Sequence, residues 1–179
     1  MAPLSRPFWL VLGAVLGVAC AQSSTSPVRL NEILPSNGNG CADDIGERND
    51  WVELYNTSDA AVDLAGYSLT DDTASPRKSV IPEGFTIEAQ STKLFWADGA
   101  PVPDRNHLTF KLKSKAEEVV LYDPEERQVD LVRWGDSASP VFFEAYPDIS
   151  FARVPDGTGG WVRCKAPTCE ADNSSACGS

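Results

Sequence analysis

The chain has 179 residues with 26 Asp+Glu against 15 Lys+Arg and a single histidine, His107, so any acid–base or metal chemistry must rest mainly on carboxylates. Nucleophilic catalysis needs a nucleophile and a base in hydrogen-bond reach, and the sequence offers neither a G-x-S-x-G elbow nor a cysteine in a catalytic context. Hydrolytic metal centres of the phosphoesterase or zincin type gather several histidines with their carboxylates. One imidazole does not supply such a site, so His107 reads as structural and no catalytic residue is expected.

Adjacent carboxylates occur in "ADD", "LTDD" and "AEE", and paired carboxyl groups can hydrolyse glycosides. Neighbours on a strand point to opposite faces, however, and aspartate is favoured in turns for its local hydrogen bonds. The densest acidic stretch is Cys41 to Asp50, "CADDIGERND". Asp43, Asp44, Glu47 and Asp50 are hard oxygen donors of the kind calcium takes. Their spacing misses the EF-hand pattern and Arg48 puts a positive charge among them, so the expectation is a solvated loop with at most weak, millimolar-class calcium binding. No other cofactor is expected.

Trp51, Trp96, Trp134 and Trp161 could form a sugar-stacking platform. Aromatics at strand positions usually pack a core or shield an edge, and the core is the expectation here. Cys41, Cys164, Cys169 and Cys177 remain after removal of an N-terminal leader, an even number that in an exported chain predicts two disulfides with three connectivities open. Zinc would call for close Cys-x-x-Cys pairs or accompanying histidines. Cys41 falls in the loop after the first strand and is expected to pair with the C-terminal tail.

The leader reads as secretory. Met1 to Pro7 carries Arg6, and Phe8 to Ala19 is apolar and uncharged, too short for the roughly 20 residues of a membrane-spanning helix. Two processing outcomes fit: cleavage after Ala21, making 1–21 a signal peptide, or a lipoprotein signal over 1–19 with Cys20 as the lipid acceptor. In the second, Gly17 stands where such a box normally has a large aliphatic residue. Residues 22–27 form a short Ser/Thr linker. The net charge of −11 opposes nucleic acid binding, which needs a basic face to release counterions; the only membrane contact expected is through a lipid anchor.

The elements that must position these residues are short strands. "VRLNEIL" alternates Val28, Leu30 and Leu34 against Arg29, Asn31 and Ile33, and "DWVELYN" alternates Val52 and Leu54 against Trp51, Glu53 and Tyr55, the period of half-buried strands. Further strands are expected at 67–71, 78–81, 85–87, 93–97, 107–112, 118–123, 128–134, 150–154 and 161–163, separated by Gly, Pro and Asp turn signals. Many short strands at close spacing predict an all-β sandwich or barrel. The domain is placed over 28–163, with a Cys-containing, disulfide-pinned extension over 164–179.

"VRLNEILPSN", "NDWVELYNTSDAAVDLAGYSLTDD", "FTIEAQSTKLFWAD", "HLTFKLKSKAEEVVLYDPEERQVDLVRWG" and "SFARVPDGTGGW", in that order, resemble the lamin tail domain family in its exported bacterial form, over about Val28 to Trp161. The resemblance implies an immunoglobulin-like β-sandwich without chemistry of its own, of the kind found at cell surfaces or beside secreted hydrolases. Chromatin and nuclear partners of lamin tails are not carried over to an acidic, exported chain. The expected function is a non-enzymatic exported module, secreted or in the cell envelope, that binds a protein or cell-envelope component. The alternative is an extracellular glycan- or calcium-binding module.

Overall fold

The computed structural model describes residues 26–100, 106–135 and 146–177. The expected secretory segment, the candidate lipid acceptor Cys20 and most of the expected 22–27 linker lie outside the described residues. Eleven strands follow in order: β1 (Val28–Leu34), β2 (Trp51–Asn56), β3 (Val62–Asp63), β4 (Ser68–Thr70), β5 (Ser79–Val80), β6 (Thr86–Ile87), β7 (Thr92–Trp96), β8 (Glu117–Tyr122), β9 (Gln128–Trp134), β10 (Ser150–Val154) and β11 (Gly160–Cys164). They build a five-stranded sheet β11-β10-β1-β2-β7, a four-stranded sheet β5-β4-β8-β9 and a small β3-β6 pair, with antiparallel pairing throughout. The fold is an immunoglobulin-like β-sandwich.

The alternation of apolar side chains explains the two layers. Val52 and Leu54 of β2, Phe95 of β7 and Phe151 of β10 meet Leu69 of β4, Val119 and Leu121 of β8, and Val132 and Trp134 of β9 in one buried cluster. The faces of two sheets that would each expose an apolar row are thereby removed from water together.

Strand β1 departs from strict alternation. Its register on β2 slips between Leu30 and Glu32, a bulge that exchanges the faces. Val28 and Leu30 point into the sandwich before it, Ile33 does so after it, and Leu34 joins Trp51, Leu94 and Trp96 on the outer face. The grouping of Leu34 with Val28 and Leu30 is therefore corrected. Beside the bulge, Leu30 N–H donates to Asp130 Oδ2 (3.1 Å) and Leu30 C=O accepts from Arg153 Nε (2.9 Å). An Arg153–Asp130 ion pair, 3.1 Å apart, thus satisfies backbone groups at the site of the slip.

The segment 107–112 does not form the expected strand. Its β-type pairing is limited to the isolated bridges Trp96–His107 and Asp98–Lys111, because it leaves β7 of one sheet to reach β8 of the other. Its alternation is nonetheless real: Leu108, Phe110 and Leu112 are buried in the central cluster. At the far end of this connection Lys115 lies against Gly135, which follows β9, has φ of 75° and would place a Cβ 1.7 Å from Lys115 O, so only glycine fits.

The outer face of the five-stranded sheet is covered rather than solvated. Trp51 and Glu53 have no exposed surface, because the β1–β2 loop and the C-terminal extension lie over them. Cys41 and Cys169, one from each covering segment, pack on the Leu34/Trp51/Leu94/Trp96 cluster. The extension is held largely by polar contacts: Thr168 donates its N–H and its hydroxyl to Glu32, Glu170 N–H donates to Glu53 Oε2 (2.6 Å), and buried Asn173 donates to Arg153 O (3.1 Å).

Candidate functional site

Among the described residues the four cysteines come together in two pairs at disulfide distance. Cys41 and Cys169 have Cα atoms 6.4 Å apart across 128 residues, and Cys164 and Cys177 are 4.3 Å apart across 13. The expectation that Cys41 meets the C-terminal tail agrees with this arrangement, and of the three connectivities this is the one the fold brings into range.

Between the end of β2, the turn into β7 and the extension runs an open polar cleft of about 540 Å³, and a second of about 330 Å³ adjoins it through Tyr55, Gln90, Asp156 and Asp172. Its positions are locally determined. Gln90, with φ of 51°, closes the turn by donating Nε2 to Thr57 O (2.8 Å) and Ser58 O (3.1 Å), and Tyr55 Oη donates to its Oε1 (3.2 Å). On the other wall, Asn31 Nδ2 donates to both Glu53 Oε1 (2.9 Å) and Asp156 Oδ1 (3.0 Å), and its own Oδ1 accepts the Gly157 N–H (2.7 Å).

The cleft is electrostatically one-sided. Glu88, Asp156, Glu170 and Asp172 line it against a single lysine, Lys93. Burial pushes the Asp156 carboxyl up, opposed by its hydrogen bond from Asn31, and Tyr55 is pushed up by burial and by the charges of Asp156 and Asp172. Beneath the wall, burial drives Glu53 up to about 8, with the charge of Glu32 adding to it. The four carboxylates against one lysine make a surface that attracts cations. No serine, cysteine or histidine lines either cleft apart from Ser91 and Ser174, and neither serine has a base in the lining other than the acidic groups.

The acidic loop 41–50 is wound on itself. Asn37 Nδ2 donates to Cys41 O and Asn49 O (both 2.8 Å), and Asp43 Oδ1 accepts from Ile45 N–H (3.0 Å) and Glu47 N–H (2.8 Å). The four expected calcium donors are split by this winding. Asp50 turns inward, accepting the Asn37 N–H at 2.9 Å, and burial pushes its carboxyl up; Glu47 is exposed and 3.5 Å from Asn49 Nδ2. Asp43 and Asp44 instead lie near His107. The His107 backbone bridges Trp96, and its Nδ1 lies 2.6 Å from Asp98 Oδ2.

The tryptophans form no platform. Trp51, Trp96 and Trp134 are buried, and Trp134 Nε1 donates to Lys113 O (2.9 Å). Trp161 is half-buried beneath the Arg153 guanidinium, 4.9 Å from its ring. Sequence reasoning missed the Asn31–Glu53–Asp156 network and the Asp98–His107 pair. The first had a readable signal, Asn31 and Glu53 set inside strands that are largely apolar. The second had none, since Asp98 sits in an ordinary Asp-Gly turn.

A family model described as Lamin Tail Domain matches residues 21–136, which leaves β10, β11 and the extension beyond the matched span. No curated protein matches the chain. Among the described residues no helix is long and apolar enough to cross a membrane.

Proposed function

Given that this chain belongs to the lamin tail domain family, whose immunoglobulin-like β domain is a non-catalytic fold type, we propose that it is a non-enzymatic, exported interaction module that binds a basic segment of a protein partner. The acidic cleft at Tyr55 carries this reading. Four carboxylates around one tyrosine and one lysine complement Lys or Arg side chains, whose apolar stems and charged heads suit a polar groove with an aromatic edge. The two cysteine pairs support an oxidising compartment, in keeping with the apolar leader. Display in the envelope through a lipid on Cys20 and free secretion are both consistent with it.

A synthetic oligolysine peptide titrated into the purified protein at low ionic strength tests the proposal. Binding is expected, weakening steeply with added salt and lost in Asp156→Asn with Asp172→Asn. No binding at low salt, or binding that ignores both substitutions, would sink it. Neutral oligosaccharide in place of peptide separates the glycan alternative, and turnover of phosphodiester, glycoside or ester substrates by the same sample would contradict the non-enzymatic reading.

A further inference from the structure

We propose that Asp43, Asp44 and His107 form a binding site for a divalent transition-metal ion of the zinc type. One carboxylate oxygen of each aspartate and a ring nitrogen of His107 lie within 4.8 Å of one another. They come from two separate segments, the β1–β2 loop and the connection after β7. The proximity is therefore a product of the fold and not of sequence clustering.

One buried polar atom at this place lacks a hydrogen-bond partner. Asp43 Oδ1 is fully used by the loop, accepting from Ile45 and Glu47, while Oδ2 is buried with no hydrogen-bond partner. An oxygen in that state pays a desolvation cost that nothing on the protein offsets. The His107 side chain is only 4% exposed. Its Nδ1 is engaged by Asp98, which leaves Nε2 as the ring nitrogen to offer to an ion.

Asp98 gives the imidazole the setting of a metal ligand. Its Oδ1 is fixed by the Ala100 N–H (2.9 Å) and its Oδ2 faces His107 Nδ1. A carboxylate that accepts from one ring nitrogen fixes the tautomer and presents the other nitrogen's lone pair to an ion. The backbone holds the ring in place, since Leu108 N–H donates to Trp96 O and Trp96 N–H to Asn106 O, each at 2.7 Å.

The donor set chooses the ion. Calcium and magnesium take all-oxygen shells, whereas imidazole suits zinc and its first-row neighbours, which also accept carboxylate. Three protein donors with water completing the shell make a site of moderate affinity. Its occupation would tie the β1–β2 loop to the connection after β7, beside the Cys41–Cys169 pair.

The test uses tag-free protein with its cysteine pairs oxidised, titrated calorimetrically with zinc chloride and followed by ¹⁵N NMR of the imidazole. Because the chain has one histidine, the imidazole signal is unambiguous. One zinc per chain, a shift of the Nε2 resonance, and no such response to calcium are expected. Asp44→Asn, at an exposed position, should weaken zinc tenfold or more, and Asp98→Asn about 10- to 100-fold through the ring it orients. His107→Gln should abolish binding. If that variant does not fold, Asp44→Asn decides the matter by itself. Absence of stoichiometric zinc binding, an unmoved Nε2 resonance, or full affinity in Asp44→Asn would each overturn the assignment.

Discussion

Glu32 and Glu53 face each other across the β1–β2 ladder, both without exposed surface, and each accepts hydrogen bonds from the C-terminal extension, Glu32 from Thr168 and Glu53 from Glu170. Two buried carboxylates in register disfavour ionisation by burial and by their mutual charge. Burial pushes both up, Glu53 to about 8.

The sign of the resulting pH dependence follows. Between the ordinary glutamate range near 4.5 and about 8, the folded protein holds a proton on Glu53 that the unfolded chain has released. Stability is therefore fully present below the unfolded value and falls as pH rises through the folded one, by about 1.4 kcal/mol per pH unit while Glu53 alone titrates. Glu53→Gln, which keeps an acceptor for Asn31, should flatten that decline. Denaturant melts from pH 5 to 9 read it directly, and an unchanged slope in the variant would reject the assignment to Glu53.

The Arg153–Asp130 pair should be costly to break from one side. Both side chains are mostly buried, and Arg153 also donates to Leu30 O and Gly159 O (3.0 Å). Asp130→Ala leaves an unpaired guanidinium and an orphaned Leu30 N–H, for an expected loss of about 3–5 kcal/mol. Arg153→Ala should cost at least as much. A double-mutant cycle measures the coupling, and two additive single losses would show that the pair does not act as a unit.

Both cysteine pairs should be oxidised, with no free thiol on non-reducing peptide mapping. In the chain-entropy account, closing the loop of 128 residues contributes about 5 kcal/mol. Closing the one of 13 contributes about 3 kcal/mol. Cys41→Ser with Cys169→Ser is accordingly expected to lower the melting midpoint more than Cys164→Ser with Cys177→Ser. It should also move the pH decline, because it loosens the segment that donates to Glu32 and Glu53.

Gly135→Ala should prevent normal folding, since its Cβ would meet Lys115 O at 1.7 Å in a left-handed backbone conformation. Gly46→Ala makes a useful control: it shares the positive φ, at 84°, but has nothing within 4 Å. A small loss of about 1 kcal/mol is expected there, and equal losses at both positions would refute the steric argument.

Local pattern carried much of this protein. Alternation in "DWVELYN", together with the Gly and Pro turns between the short strand runs, indicated an all-β sandwich or barrel, the family resemblance chose the sandwich, and Cys41, Cys164, Cys169 and Cys177 were the residues expected to pair. These signals are legible because strand periodicity and turn chemistry act over a few residues. What tertiary structure decided was everything that depends on a second segment arriving. The bulge at Leu30–Glu32 needed Asp130 and Arg153 to satisfy it. The outer face holding Trp51 and Glu53 looked open until residues 164–177 covered it. His107 met Asp43, Asp44 and Asp98 only because β7 and the connection after it lie beside the β1–β2 loop. Burial, carboxylate pKa and donor geometry are set by neighbours distant in the chain, and no spacing along one strand encodes them.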